Sequence, residues 1–322
     1  MIRSIFCTLT VAAAISLTSS AHSQPASPEP IRLVVPFDAG GGTDAVARVI
    51  AQAMAPELKR NIVVVNRGGA GTRIGSELVA RSAPDGLTLL YSGIGLTFHP
   101  AIYKDLPYDL RKDFVAVAMV GRQPYLLATS TSMGNRTLPE IIKLAQQKPG
   151  ELTYGSAGIG SGTHIASEIL WATLNIKLNH VPYKGTAPAL VDLMGGRLDL
   201  VFSTIASLAS RAKAGQVRAI GISTSKRSTL LPEVPTIAEQ GFAGFEYVTW
   251  AAIFARAGTP AATQAAIADA VAKAVALPNV RASLESDGFV PAPSGPEEAQ
   301  RFYLAEVDRL PPLIRRAGIQ PQ

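Results

Sequence analysis

Short β-branched runs alternate with helical periodicity along most of this chain. Ile31–Val35 is an apolar run that stops at Pro36. A glycine-rich loop follows, Phe37-Asp38-Ala39-Gly40-Gly41-Gly42-Thr43, and then Val46, Val49, Ile50, Ala53 and Met54 recur on one helical face. Strands are predicted at residues 62–65 and 87–91, with a helix over 74–82 and a tight Asp85-Gly86 turn between that helix and the second strand. A second series of the same kind begins near Tyr125. Thr137-Leu138-Pro139-Glu140 reads as a capping box opening a helix. A strand at 152–154 enters the loop Gly155-Ser156-Ala157-Gly158-Ile159-Gly160-Ser161-Gly162-Thr163, and a helix over 164–174 follows. Another strand, 199–202, leads through Ser203-Thr204 into a helix over 205–214, and a strand at 219–223 comes next. Residues 247–254 are apolar and extended enough to carry the chain back to the first half. Helical patterns close the sequence at 261–275 and 296–310. Such alternation predicts an α/β fold with a parallel or mixed sheet. Two similar lobes joined by chain crossings near residues 115–127 and 245–254 are the economical arrangement.

The first 23 residues read as an address. Arg3 precedes a mostly apolar stretch, residues 5–17, and then a small polar segment with Ala21 and Ser23 at the −3 and −1 positions before Gln24. This is the pattern of a secretory signal peptide, too short in its apolar part to anchor the chain. It predicts export across the cytoplasmic membrane and cleavage between Ser23 and Gln24. Cys7, the single cysteine, falls inside the signal. The mature chain then has no disulfide and no thiolate chemistry, and a core must stabilise it alone.

Composition narrows the function further. Hydrophobic residues make up 47% of the 322 positions, which excludes intrinsic disorder. No downstream window is long and apolar enough for a membrane span. The net charge of +6 is dispersed, with no run of Lys or Arg, so nucleic acid is not an expected partner and an anionic small molecule is mildly favoured.

The informative feature is a local design that occurs twice: strand, glycine-rich turn, helix start. It spans residues 35–44 and again 154–164. The first turn of a helix leaves backbone N–H groups unpaired, and the helix dipole adds about half a positive charge there. Glycines let a ligand approach that backbone closely, so the pair suits an anion such as a carboxylate held across a cleft. The alternative is that both loops are only tight turns. Neither contains the Lys of a phosphate-cradling P-loop. Gly158-Ile159-Gly160-Ser161-Gly162-Thr163 puts Thr where a dinucleotide fingerprint needs its third Gly, and Ser161 lacks the flanking glycine of a hydrolase elbow.

Other candidates each carry two readings. Asp44 is a first-turn acid, or it orients the loop or meets a ligand amino group. His164 faces a ligand or simply starts a helix. Ser161 and His164 together would be the nucleophile and base of an exported serine hydrolase, although no third group is evident to orient the base. Arg67 lies at the cleft or braces a loop. Tyr183 and Lys184 read as a structural turn before a helix beginning at Thr186. Ser203 and Thr204 end a strand at the edge where open α/β sheets bind ligands. His99, His164 and His180 match no metal spacing, so no metal or cofactor is expected.

With these residues in view, the chain resembles the Bug family, the periplasmic receptors of tripartite tricarboxylate transporters. The resemblance is carried by Val35-Pro36-Phe37 with Gly40-Gly41-Gly42-Thr43-Asp44, by Asn66-Arg67-Gly68-Gly69-Ala70-Gly71 with Ile74-Gly75, and by Pro84-Asp85-Gly86. It continues through Tyr154-Gly155-Ser156, Gly160-Ser161, His164, His180-Val181-Pro182-Tyr183-Lys184-Gly185, Asp192-Leu193, Asp199 and Pro232-Glu233-Val234-Pro235-Thr236. The resemblance implies a two-lobed type II periplasmic-binding fold with the ligand cleft between its lobes. Lobe 1 would comprise 24–125 and 248–322, and lobe 2 residues 126–247. It further implies that Phe37, Gly41, Gly42, Thr43 and Asp44 form one clamp on a ligand carboxylate. Ser156, Gly158, Gly160, Ser161 and His164 would form the other, and Ser203 and Thr204 would line the distal pocket. The implied function is a non-catalytic monomeric receptor that delivers a small carboxylate to membrane transporter subunits; a ligand-sensing receptor for a signalling partner is the same molecule with another client. Two positions depart from the family pattern. Gly68 stands where a Pro is usual, and Thr72-Arg73 where Gly-Asn is frequent, which adds a guanidinium near the cleft.

Overall fold

A computed structural model describes residues 29–39, 42–286, 288–319 and 321. The expected signal peptide, Gly40 and Gly41 lie outside the described residues. The chain forms β1 (Ile31–Val35), α1 (Gly42–Leu58), β2 (Ile62–Asn66), α2 (Arg73–Ala80), β3 (Thr88–Gly93) and α3 (Ile94–Ile102). It then enters β4 (Phe114–Thr129), and continues through α4 (Leu138–Gln147), β5 (Thr153–Ser156), α5 (Gly162–Leu174), β6 (Asn179–Pro182) and α6 (Thr186–Met194). After β7 (Leu200–Thr204), α7 (Ile205–Lys213) and β8 (Arg218–Ile222) it returns along β9 (Val248–Arg256). The last elements are α8 (Ala261–Ala276), α9 (Pro278–Ser286), β10 (Val290–Pro291) and α10 (Pro296–Arg316).

The strand order is β2-β1-β3-β9-β4-β7-β5-β6, with β8 and β10 also pairing β4. β1 pairs β2 and β3 in parallel, and β5 pairs β6 and β7 in parallel, as βαβ connections require. The 16-residue strand β4 changes partner along its length. Residues 114–124 run antiparallel to β9, and 125–129 run antiparallel to β7 and β8. Residues 115–127 and 248–254, where chain crossings are expected, lie in the adjacent antiparallel strands β4 and β9.

Burial follows the strand alternation. Leu33, Val35, Leu89 and Tyr91 face α1, α8 and α9 in one apolar cluster. Val34, Leu90, Ala252 and Phe254 face α3 and α10 in a second, which continues to Tyr154, Ile165 and Trp171 in the other half. Leu126, Val201, Ile205 and Ile222 belong to a third. The capping box at Thr137 is present, with Glu140 accepting from the Thr137 backbone N–H at 2.7 Å.

Several elements depart from expectation: β6, α9 and β10 are not among the expected strands and helices, and two further departures have clear causes. The final helix was expected to end at Leu310, before Pro311-Pro312, yet α10 runs on to Arg316. Proline destabilises a helix interior, but Leu310, Pro311 and Ile314 are all buried here, and that packing carries the helix through. α3 was not expected at all. Its sequence, with Gly95 and Pro100 inside an apolar run, shows little amphipathic contrast because α3 is buried on most sides.

Candidate functional site

Five helices begin at one cleft of about 730 Å³. Thr43 comes from the first turn of α1, and Gly93 and Gly95 from the start of α3. Ser161, Gly162 and Thr163 open α5, Thr186 opens α6, and Thr204, Ala206 and Ser207 open α7. All follow strands at their carboxyl ends, where an open α/β sheet leaves room for a ligand. Among the described lining residues none carries a formal charge. In such a cleft the groups that can favour an anion are helix starts and backbone N–H groups. A larger hollow of about 820 Å³ lies between residues 106–111 and the end of α10, and no helix start opens into it.

The first glycine loop is held from behind. Asp44 is buried, and its carboxylate accepts from Arg48 at 3.0 Å and from Asn66 Nδ2 at 2.9 Å. Asn66 Nδ2 also donates to the Phe37 carbonyl at 3.1 Å, so the acid is linked through one amide to the loop itself. This geometry is the loop-orienting reading of Asp44. Phe37 and Thr43 line the cleft. Gly42 starts α1, and Gly41 lies outside the described residues.

The second loop rests on three stacked rings. Tyr154 and His180 have ring centroids 4.8 Å apart, and His180 and His164 are 4.3 Å apart. Ser156 Oγ is 2.7 Å from His180 Nε2 and accepts from the Gly158 N–H at 3.1 Å. The Gly160 N–H donates to His164 Nδ1 at 3.2 Å, which requires that nitrogen to be unprotonated. Burial, with the neighbouring His180 adding to it, pushes the His164 pKa down to about 4, so the acceptor persists at neutral pH. Gly158 and Gly160 have φ of 123° and 76°, conformations that side chains rarely adopt.

Ser161 caps α5, its Oγ accepting from the His164 backbone N–H at 3.2 Å. The imidazole itself is committed to Gly160, so no nucleophile–base hydrogen bond joins Ser161 and His164. Gly160, Ser161 and Thr204 line the cleft, whereas Ser156, Gly158, His164 and Ser203 stand outside its lining. Ser203 is buried and accepts from Ser207 Oγ at 3.1 Å. Arg67 and Lys184 are exposed and away from the lining. Tyr183 donates to Asp192 at 2.6 Å, a structural role. The Arg73 guanidinium lies over the Tyr103 ring at 5.1 Å and donates to the Asp105 carbonyl, also outside the lining.

Sequence reasoning missed the turn at residues 69–72. Gly69, Ala70, Gly71 and Thr72 all have positive φ, 118°, 43°, 55° and 81°. A β-branched residue such as Thr72 resists that region, and such strain costs about 1–3 kcal/mol per residue. Elements beside the turn hold it in place. Tyr103 donates to the Ala70 carbonyl at 2.5 Å, and Ser76 Oγ donates to the Thr72 carbonyl at 2.9 Å. Buried His99 places Nε2 2.9 Å from both the Gly71 carbonyl and Thr72 Oγ1, while Tyr108 lies 2.6 Å from Nδ1. A carbonyl only accepts, so Nε2 carries the proton and Nδ1 accepts from Tyr108. Gly71 and Thr72 thereby reach the cleft. The glycines at 69 and 71 were the sole sequence signal. Gln123, Tyr125, Thr249 and Trp250, from the two crossing strands, also line the cleft and carried no motif.

Comparison with known proteins agrees with this architecture. The family model TctC, tripartite tricarboxylate transporter family receptor, matches residues 46–319. A "UPF0065 protein in tcbD-tcbE intergenic region" of Pseudomonas sp. (strain P51) is 39% identical over 286 residues, which cover 88% of this chain and 85% of that one. The structure of periplasmic binding protein BugD superposes with a TM-score of 0.77 at 32% identity, over 91% of this chain and 99% of its own. R. palustris Rpa4515 with adipate gives 0.78 at 32% identity, over 91% and 98%. The chain belongs to the TctC family that the Bug-like motifs indicated, and it is a two-lobed α/β solute-binding receptor, not an enzyme.

Proposed function

We propose that the mature protein works in the periplasm as a receptor for a small carboxylate, which it hands to the membrane subunits of a tripartite transporter. The observation that carries this reading is the convergence of five helix starts on a cleft lined without charged side chains. An ionised carboxylate taken from water needs several donors, and helix N-termini supply them together with a favourable dipole. A relative 32% identical to this chain is described with adipate, itself a small carboxylate. In this reading the chain loses residues 1–23 on export. Phe37, Gly41, Gly42, Thr43 and Asp44 make or brace the first clamp; Ser156, Gly158, Gly160, Ser161 and His164 make or brace the second; Ser203 and Thr204 form the distal wall. The protein acts as a monomer, with lobe 1 built from 24–125 and 248–322 and lobe 2 from 126–247. The ligand binds the closed arrangement better and shifts the population towards it.

Thermal unfolding of refolded protein tests this against mono-, di- and tricarboxylates, amino acids and aromatic acids. A ligand at a hundred times its Kd should add about 2.7 kcal/mol, a rise in Tm of about 5–10 °C. No shift across the panel would overturn the carboxylate reading. The variant Gly42→Val should abolish the shift while the protein still folds, because the added side chain obstructs the helix start; normal affinity would remove the first clamp from the site.

A further inference from the structure

The polar and apolar groups of the cleft are segregated along α3. Ile94, Phe98 and Ile102 follow one another at four-residue spacing and all line the cleft, which makes one face of this helix an apolar wall. At about 1.5 Å per residue the stripe runs about 12 Å. At its foot lies Ser92, which also lines the cleft. Its Oγ is buried and has no hydrogen-bond partner within the protein. Gly93 caps α3 without a side-chain hydrogen bond, so the first N–H groups of the helix stand beside that hydroxyl. Buried hydroxyls are normally paired, and one left open at a helix start marks a place for a ligand acceptor. Beyond the foot, the described lining offers no cation to a second acidic group, and Arg73, the guanidinium added next to Thr72, is engaged with Tyr103 and Asp105.

We propose that the cleft selects acids with one ionised head and an apolar chain or ring: the head meets Ser92 and the helix starts, the body lies along Ile94, Phe98 and Ile102, and short di- and tricarboxylates are discriminated against. The inference rests on the carboxylate reading above and narrows it. A second carboxylate lying on the α3 wall would lose its water against apolar side chains, with no cation in the described lining to meet it.

Hexanoate and adipate are the decisive pair, since they differ by a terminal methyl against a terminal carboxylate. Titration calorimetry on the refolded protein should give hexanoate or benzoate an affinity at least tenfold above adipate, malate and citrate. In Ile102→Asn, at a half-buried position, hexanoate should weaken about tenfold while adipate and malate change little. In Ser92→Ala all acids that bind should weaken by a similar factor. Adipate, malate or citrate binding as tightly as hexanoate would overturn the proposal and leave the carboxylate receptor standing. Equal losses for hexanoate and adipate in Ile102→Asn, or unchanged affinities in Ser92→Ala, would overturn the placement of body or head. No acid binding at all would overturn both the proposal and the reading beneath it.

Discussion

Replacing Gly93 by alanine is expected to destabilise the protein by about 3 kcal/mol or more, or to leave it unable to fold. A Cβ at this position would sit 1.9 Å from the Trp250 carbonyl oxygen. That oxygen belongs to the backbone of β9, next to Ala251, which Gly93 opposes in the antiparallel pair with β3. A side chain in the way could rotate aside; a ladder carbonyl moves only with its strand. The same pair forms the cleft floor, so any adjustment would shift Trp250 and Ala251 beneath the ligand. Gly95 is the control two residues on. A Cβ there meets nothing within 4 Å, and alanine inside α3 should hold or raise stability by up to about 1 kcal/mol. Urea unfolding of the two variants beside the parent measures both effects; equal stabilities would mean that β3 and β9 are farther apart than described.

His99 should make stability fall as solutions are acidified. Burial pushes its pKa down to about 4 from 6.5, against a smaller opposing effect from its hydrogen bond to Gly71. Between these two values the unfolded chain holds more protons than the folded one. Acidification through that window removes stability, and the contribution is complete only above pH 6.5. The full change is about 3 kcal/mol between pH 7 and pH 4. His164 and the carboxylates titrate in overlapping ranges, so the informative quantity is a difference. His99→Gln should be less stable than the parent at pH 7, because the turn at 69–72 loses part of its support, and the two should converge towards pH 4. A constant gap across that range would show that His99 takes up its proton equally in the folded and unfolded chain, so that burial does not lower its pKa.

The parts of the site visible in the sequence were those with strong local chemistry. Glycines at 158 and 160 marked a backbone of positive φ, and the run from Ser156 to His164 located the second loop. Most of the strand–helix alternation also emerged, because half-buried strands and amphipathic helices write their periods into the chain. The remaining parts depend on contacts between distant segments. Thr72 adopts φ 81° because His99 and Ser76 hold it there, and no local preference of threonine announces it. α3 escaped because it is buried between the sheet and α10, so its apolar residues lack a polar face to contrast with. Asp44 and Ser203 show the converse limit. Their positions beside the cleft were legible, but whether a side chain points into it or behind it depends on partners such as Asn66 and Ser207.

The partner change along β4 bears on how the chain acquires its shape as it emerges from a translocation pore. Everything that pairs with β5, β6, β7 and the second part of β4 lies between residues 125 and 222, so this portion can assemble from contiguous chain. β3 and the first part of β4 must wait for β9, whose residues 248–256 arrive more than a hundred positions after β4 begins. The β1-β2-β3 segment, first to appear, therefore spends the longest time with an open strand edge. Periplasmic chaperones that shield nascent chains should engage this amino-terminal portion longest, and truncations ending before residue 248 should leave it the most susceptible to protease.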